Sequence, residues 1–354
     1  MSIPVNILLF AEYAAVAAIL FAFLAVYIML ANRYQIVDNP TRRSSHSIQV
    51  VTGGGLVFFL AIALYFFFHS HFPVSFFVGL TLLAVVSYAD DIKAISVYPR
   101  FVIQVVAATL LLSQIESDLH MHFDELPGFH WTYSVALIII IVGIFNLFNF
   151  MDGINGMLGI TGLVLFATLL IINNVAPKSN FIDNDYLIYI LMALAIFLFY
   201  NLRKQARCFA GDVGAITFAF ISIYAVGLLM WKSGNLGYIF LFAPYAIEAG
   251  YTILQRIYLR QNIFKPHRIH LFQLLCNELR YSHMKISIIY GICQLLMNAF
   301  IVVVNVMGVR IRWQMLIIGT IYVLLSLLYI YWKWKIMSKK NTSYELQVTS
   351  ETKN

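Results

Sequence analysis

The chain has 354 residues, 61% of them hydrophobic and only 11% charged, with a mean hydropathy of +0.83. A water-soluble domain carries roughly 25% charged residues, so this composition excludes a soluble enzyme and points to a membrane as the main solvent. The formal charge of +7 could suit nucleic acid, but its placement along the chain gives it another explanation.

The first apolar run, near 7–31, is too long for a signal-peptide core and lacks a basic stretch ahead of it. It is predicted to stay as a membrane span. The loop that follows reads VDNPTRRSSHSIQVVTGGGL. Arg42, Arg43 and His46 with three consecutive glycines suit a close backbone approach to an anionic group. The competing reading is topogenic arginines followed by a flexible turn. Spans are expected near 54–69 and 73–88, and the next loop reads SYADDIKAISVYPR. Asp90 and Asp91 stand there at the C-terminal end of a helix, where the dipole disfavours negative charge. A bound cation would offset that cost, since hard divalent ions take oxygen ligands. Equally, the pair could be solvated loop residues, with Asp91 capping a following turn.

A short span near 101–115 precedes one near 133–150 that ends IFNLFNFMDGINGMLG. Asn146, Asn149 and Asp152 recur at i, i+3 and i+6 and share a helix face. Such a face either lines a cavity or makes interhelical hydrogen bonds. Asn155 extends the series into the next turn. After spans near 157–173 and 186–200, the span near 214–231 opens with FAGDVGAITF. Asp212 there is either an ordinary N-cap or a carboxylate at a phosphate-binding helix start, where a cation would have to bridge it to the phosphate. Beyond the span near 237–255 lies RQNIFKPHRIHLFQLLCNE. His267 and His270 have metal-pair spacing without a third ligand nearby; alternatively, Arg268 and His270 hold a diphosphate. Spans near 286–307 and 313–333 complete the series, and the polar stretch after Trp334 is expected to be disordered.

The fold class predicted is an all-α polytopic membrane protein of about eleven spans. It forms a single catalytic domain over 1–337 with a polar cytoplasmic tail over 338–354. Alternate loops hold nineteen of the 23 Lys and Arg residues, leaving only Lys178, Lys232, Arg310 and Arg312 on the other side. By the positive-inside rule the basic set is cytoplasmic, with the N-terminus outside and the C-terminus inside. The net charge therefore reflects topology and anionic headgroups, and no nucleic-acid partner is expected. Cys208, Cys276 and Cys293 show no CxxC spacing, so no disulfide framework is expected. Inside loops carry Asp38, Asp90, Asp91, Asp152 and Asp212, each embedded in a short polar, Gly-rich sequence and most within a residue or two of a span. The outside acids, among them Asp118, Asp183 and Asp185, follow no pattern.

The blocks DNPTRRSSH…GGG, YADDIK, NLFNFMDGINGMLG, CFAGDVG and HRIH together resemble the polyprenyl-phosphate N-acetylhexosamine-1-phosphate transferases, in the same order from about residue 38 to 275. That family includes the bacterial phospho-MurNAc-pentapeptide and undecaprenyl-phosphate GlcNAc-1-phosphate transferases. The resemblance places the family's adjacent aspartates at Asp90 and Asp91, with its lysine at Lys93. Its Asn-x-x-Asp-Gly block falls on Asn149, Asp152 and Gly153, its magnesium-binding aspartate on Asp212, and its histidine motif begins at His270. Two departures stand out. Asn155 occupies a position that is usually aspartate, and HRIHLFQ has Phe272 and Gln273 where many members have further histidines. The second form resembles the branch that starts O-antigen or similar surface glycans.

The resemblance implies transfer of a HexNAc-1-phosphate from a UDP-N-acetylhexosamine to undecaprenyl phosphate in the bacterial inner membrane, releasing UMP. Magnesium is the expected cofactor, with manganese as the alternative. Asp212 and Asp91 are the expected metal ligands, Asp152 lies near them, and Asp90 is the candidate base. Arg43, His46, Lys93, Asn149, Asn155, Arg268 and His270 are the expected substrate contacts, and a homodimer is compatible with the sequence. The rival readings are an inactive lipid-glycan scaffold and a secondary transporter. A transporter would place its ionisable residues near the midplane, often within a repeat; here they lie at loop–helix borders and no repeat is visible.

Overall fold

A computed structural model of the chain describes residues 5–40, 45, 47–69, 73–120, 131–175, 180–262 and 268–351. The protein is almost wholly helical. Its helices are α1 (Val5–Arg33), α2 (Leu56–Phe68), α3 (Val74–Ile92), α4 (Val97–Leu119), α5 (Trp131–Met151), α6 (Met157–Val175), α7 (Asn184–Asn201), α8 (Gly211–Ser233), α9 (Ala243–Tyr258), α10 (Leu271–Asn277), α11 (His283–Val306) and α12 (Ile311–Glu351). Among the described residues, ten helical segments are long and apolar enough to cross a membrane. The expected eleventh span is α2, apolar throughout but only 13 residues long. One of the ten is composite. A 3-10 turn at Leu236–Phe242 runs into α9, with Pro244 in the first turn of the α-helix. A proline there lacks only an N–H that the helix start leaves unbonded anyway.

The bundle is built around α8. Its side chains are buried on every face, from Val213 to Leu229, and it packs against α2, α3, α4 and α5. A helix apolar all round has no face to offer water, which is why this one takes the centre. The interface is largely aromatic: Phe218 meets Phe58, Phe148 and Phe166, while Phe220 meets Phe76 and Phe145. α6 and α11 pack together on one flank.

The two ends of the bundle differ. At one end, β1 (Val37–Asp38) pairs antiparallel with β2 (Val50–Val51), and Val51 also bridges to Cys208. The three glycines then run alongside residues 208–214: Gly54 N–H donates to Phe209 O at 2.8 Å and Gly55 N–H to Ala210 O at 3.0 Å. A β-carbon on Gly55 would lie 2.1 Å from Gly214 Cα. The close approach that these glycines permit is therefore to the start of α8.

At the opposite end, the outside acids do have a pattern. Tyr65 donates to Asp183 at 3.2 Å, Tyr189 to Glu12 at 2.6 Å, and Tyr13 to Asp185, with His69 Nε2 3.2 Å from Asp185. This network ties α1, α2 and α7 together. The C-terminal segment also departs from expectation, since α12 continues as helix to Glu351. Extending an existing helix avoids the nucleation cost that disfavours an isolated polar helix.

Candidate active site

The end of the bundle that carries the strand pair opens into a cleft of about 610 Å³. Asp90, Asp91, Asn149, Asp152, Asn155 and Asp212 all line it, joined by Asp38, Thr52, Gln273 and His283. Six residues singled out in the sequence thus converge from α3, α5, the turn after α5, and α8.

Asp91 caps the start of α8 from a different helix. Its Oδ1 accepts the Asp212 N–H at 2.9 Å and its Oδ2 the Val213 N–H at 3.0 Å. Thr52 Oγ1 adds a third donor at 3.2 Å. The positive end of the α8 dipole faces this carboxylate and offsets the unfavourable dipole of α3. The geometry depends on Gly211, whose φ is +74°; a β-carbon there would lie 2.5 Å from an Asp91 carboxylate oxygen. The capping role that was one of the two readings of Asp212 therefore belongs to Asp91. Asp212, in the first turn of α8, is left with its carboxylate toward the cleft.

Asp90 performs the turn-capping that was the alternative for Asp91: its Oδ1 accepts the Ile95 N–H at 2.5 Å. Its Oδ2 is ion-paired with Arg100, and Arg100 Nη1 also lies 3.4 Å from Asp212 Oδ2. Sequence reading missed Arg100 as a site residue. Its signal was the second cation of the SYADDIKAISVYPR loop, after Lys93, which counted only toward orientation. Asn149 Nδ2 donates to Asp212 Oδ1 at 2.7 Å and fixes that carboxylate's rotamer. Asn146, on the same helix face, instead donates to Gln104 of α4 at 2.9 Å, so the face divides between site and interhelical bond.

Asp152 follows the last residue of α5 and is half-buried, with no hydrogen bond to its carboxylate among the described residues. Burial, with the charge of Asp91 adding to it, pushes this carboxyl up to about 7. Burial likewise pushes the nearby Cys208 thiol up to about 12, so it stays protonated and inert.

Asn155 has a structural reason to be an amide: its Nδ2 donates to the Arg203 carbonyl at 3.0 Å, a bond that a carboxylate could not make. Phe272 is fully buried on Gly153 while Gln273 lines the cleft, which accounts for both residues of the altered histidine motif. His270 does not line the cleft. It is 2% exposed and caps α10, with its Nδ1 3.3 Å from Glu248 Oε1. Lys93 and Arg268 are exposed outside the cleft lining. Arg43 and His46 lie outside the described residues.

The donor set suits a divalent cation. Asp90, Asp91, Asp152 and Asp212 gather in one cleft, and Arg100 is the cation that pairs with two of them. Asp152 and the outer face of Asp212 offer hard oxygen atoms of the kind such ions take.

No curated protein matches the sequence with significance. The sequence model of glycosyl transferase family 4 matches residues 73–231, which span α3 to α8 and carry four of the five cleft aspartates, Asp90, Asp91, Asp152 and Asp212. Residues 73–231 are thus similar to glycosyl transferase family 4, the family of polyprenyl-phosphate hexosamine-1-phosphate transferases, within a chain whose described residues include ten helical segments long and apolar enough to cross a membrane.

Proposed function

We propose that the protein transfers a HexNAc-1-phosphate from a UDP-N-acetylhexosamine to undecaprenyl phosphate and so starts a lipid-linked surface glycan at the bacterial inner membrane. The observation that carries this reading is the convergence of Asp90, Asp91, Asp152 and Asp212, from three separate segments, on one cleft at one end of the bundle. That end bears the basic loops, and the positive-inside rule supports a cytoplasmic side for it.

In the proposed step, an oxygen of the lipid phosphate attacks the sugar-linked phosphorus of the donor. The bond from that phosphorus to the bridging oxygen breaks, UMP leaves, and a new diphosphate links sugar and lipid. One diphosphate is exchanged for another, so the reaction is close to thermoneutral. The second pKa of a phosphate monoester is about 6, so the nucleophile is largely ionised at neutral pH and needs no strong base. Asp90, already held by Ile95 and Arg100, then serves to aim Arg100 at phosphate. Asp212 and Asp152 would hold a magnesium or manganese ion, which when bound neutralises charge on the phosphates. Asp91 contributes by fixing the α8 turn that presents Asp212. What remains for the protein is positioning and charge neutralisation, the main contributions in phosphoryl transfer.

The test is UMP release by purified protein in detergent, with magnesium, undecaprenyl phosphate and a panel of UDP-N-acetylhexosamines. Lipid-dependent UMP from one or a few donors is expected. Folded protein that releases no UMP from any donor would leave the scaffold reading in its place.

A further inference from the structure

Glu248 lies within α9, is 1% exposed, and has no part in the steps above. Its carboxylate gathers donors from three other helices. Leu271 N–H, at the start of α10, donates to Oε1 at 2.6 Å, and Tyr329 OH of α12 donates to the same oxygen at 2.9 Å. Tyr290 OH of α11 donates to Oε2. A carboxylate withdrawn from water inside a membrane bundle is costly unless its partners are this complete. Packing alone would be met by leucine or methionine.

What Glu248 holds is the first turn of α10, and that turn leads straight to the cleft. Phe272 follows Leu271 and is fully buried. A β-carbon on Gly153 would lie 2.9 Å from the Phe272 ring and 3.3 Å from Gln273 Nε2, so both side chains rest directly on the Gly153 backbone. Gly153 is the residue after Asp152. With only seven residues, α10 is too short to hold its own shape and takes its position from what anchors it.

We propose that Glu248 is a positioning residue. By fixing the first turn of α10, it seats Phe272 and Gln273 on Gly153 and so sets where the Asp152 carboxylate stands in the cleft. The inference rests on the transferase reading of that cleft.

The test compares full-length Glu248→Gln and Glu248→Ala with the wild type. The glutamine keeps the volume and one carbonyl acceptor for Leu271 and Tyr329. The expected result for E248A is a magnesium requirement raised by about tenfold or more, the usual range when a supporting group behind a metal ligand is lost. The KM for the lipid should move by less than about twofold, and E248Q should recover most of the loss. An unchanged magnesium requirement in both variants would overturn the proposal. So would a parallel fall in kcat and thermal stability with E248Q no better than E248A.

A second readout needs no turnover. Cys276 sits on α10 and is 8% exposed. With Cys208 and Cys293 replaced by alanine, its maleimide labelling should speed up about tenfold or more when E248A frees the helix. Labelling at the wild-type rate would show that Glu248 does not anchor α10. If the wild type releases no UMP from any donor, the transferase reading fails, while the labelling arm still decides on the anchor.

Discussion

Asp152 is the cleft carboxylate whose ionisation is most open to experiment. Its pKa is pushed up to about 7 by burial, with the Asp91 charge adding to it. A raised carboxyl pKa means that the group is protonated below about pH 7 and gains its charge as pH rises through that value. If the carboxylate form is the working one, activity falls as pH drops through that range. A cation binds only the ionised form, so raising magnesium should move the acid limb of the pH–rate profile to lower pH. A limb that stays fixed as magnesium rises would remove Asp152 from the cation site. Asn155 carries a second prediction. Its Nδ2–H bond to the Arg203 carbonyl would become an oxygen–oxygen contact in Asn155→Asp. The expected cost is about 1–3 kcal/mol, read as a lower melting temperature in detergent. A melting temperature equal to that of wild type would show that the bond does not hold the α7–α8 connection.

At the scale of elements, the start of α8 is where the site is made. Three segments meet there at backbone distance: the glycine turn at 53–55, the end of α3 through Asp91, and the first turn of α8 itself. Gly211→Ala would force a β-carbon into the Asp91 carboxylate at a positive φ. The expected result is a loss of about 2 kcal/mol or more together with loss of turnover. Wild-type melting and activity would mean that Asp91 does not depend on this turn. The sequence made these elements legible to different degrees. Each span could be read from a run of apolar residues, a local property, and eleven such runs correspond to the ten long segments and α2. Asp91 capping a helix 121 positions away is a contact that no local pattern encodes. Arg100 was hidden for the same reason, since its partners Asp90 and Asp212 meet only after folding. Glu248 was passed over because a single acid inside an apolar run leaves the span intact, and its partners come from three other helices.

At the scale of the whole molecule, the two ends of the bundle differ in chemistry. One end gathers the carboxylate cleft, and the other holds a tyrosine–carboxylate–histidine network that clamps α1, α2 and α7. The basic loops accompany the cleft, so the orientation can be checked with reporters. Alkaline phosphatase fused after Lys178 should be active in a bacterial host, and the same reporter fused after Lys340 inactive. The reverse pattern would put the cleft on the side where nucleotide sugars are absent. The match to the family covers residues 73–231, whereas α9, which carries Glu248, and α10 lie beyond it. Variation in the nucleotide-sugar donor is therefore expected to track the segment after α9 more than the aspartate cleft.

The most direct test of the account is UMP release by Asp212→Asn beside wild type, at saturating magnesium, undecaprenyl phosphate and the preferred UDP-sugar. Asn149 can still meet the amide oxygen and the Asp91 cap is untouched, so the variant should fold and melt close to wild type. Its turnover should fall by about 100-fold or more, the usual consequence of removing one strong electrostatic contact from a transition state. A folded Asp212→Asn protein that retains more than about a tenth of wild-type turnover would contradict the role given to this carboxylate.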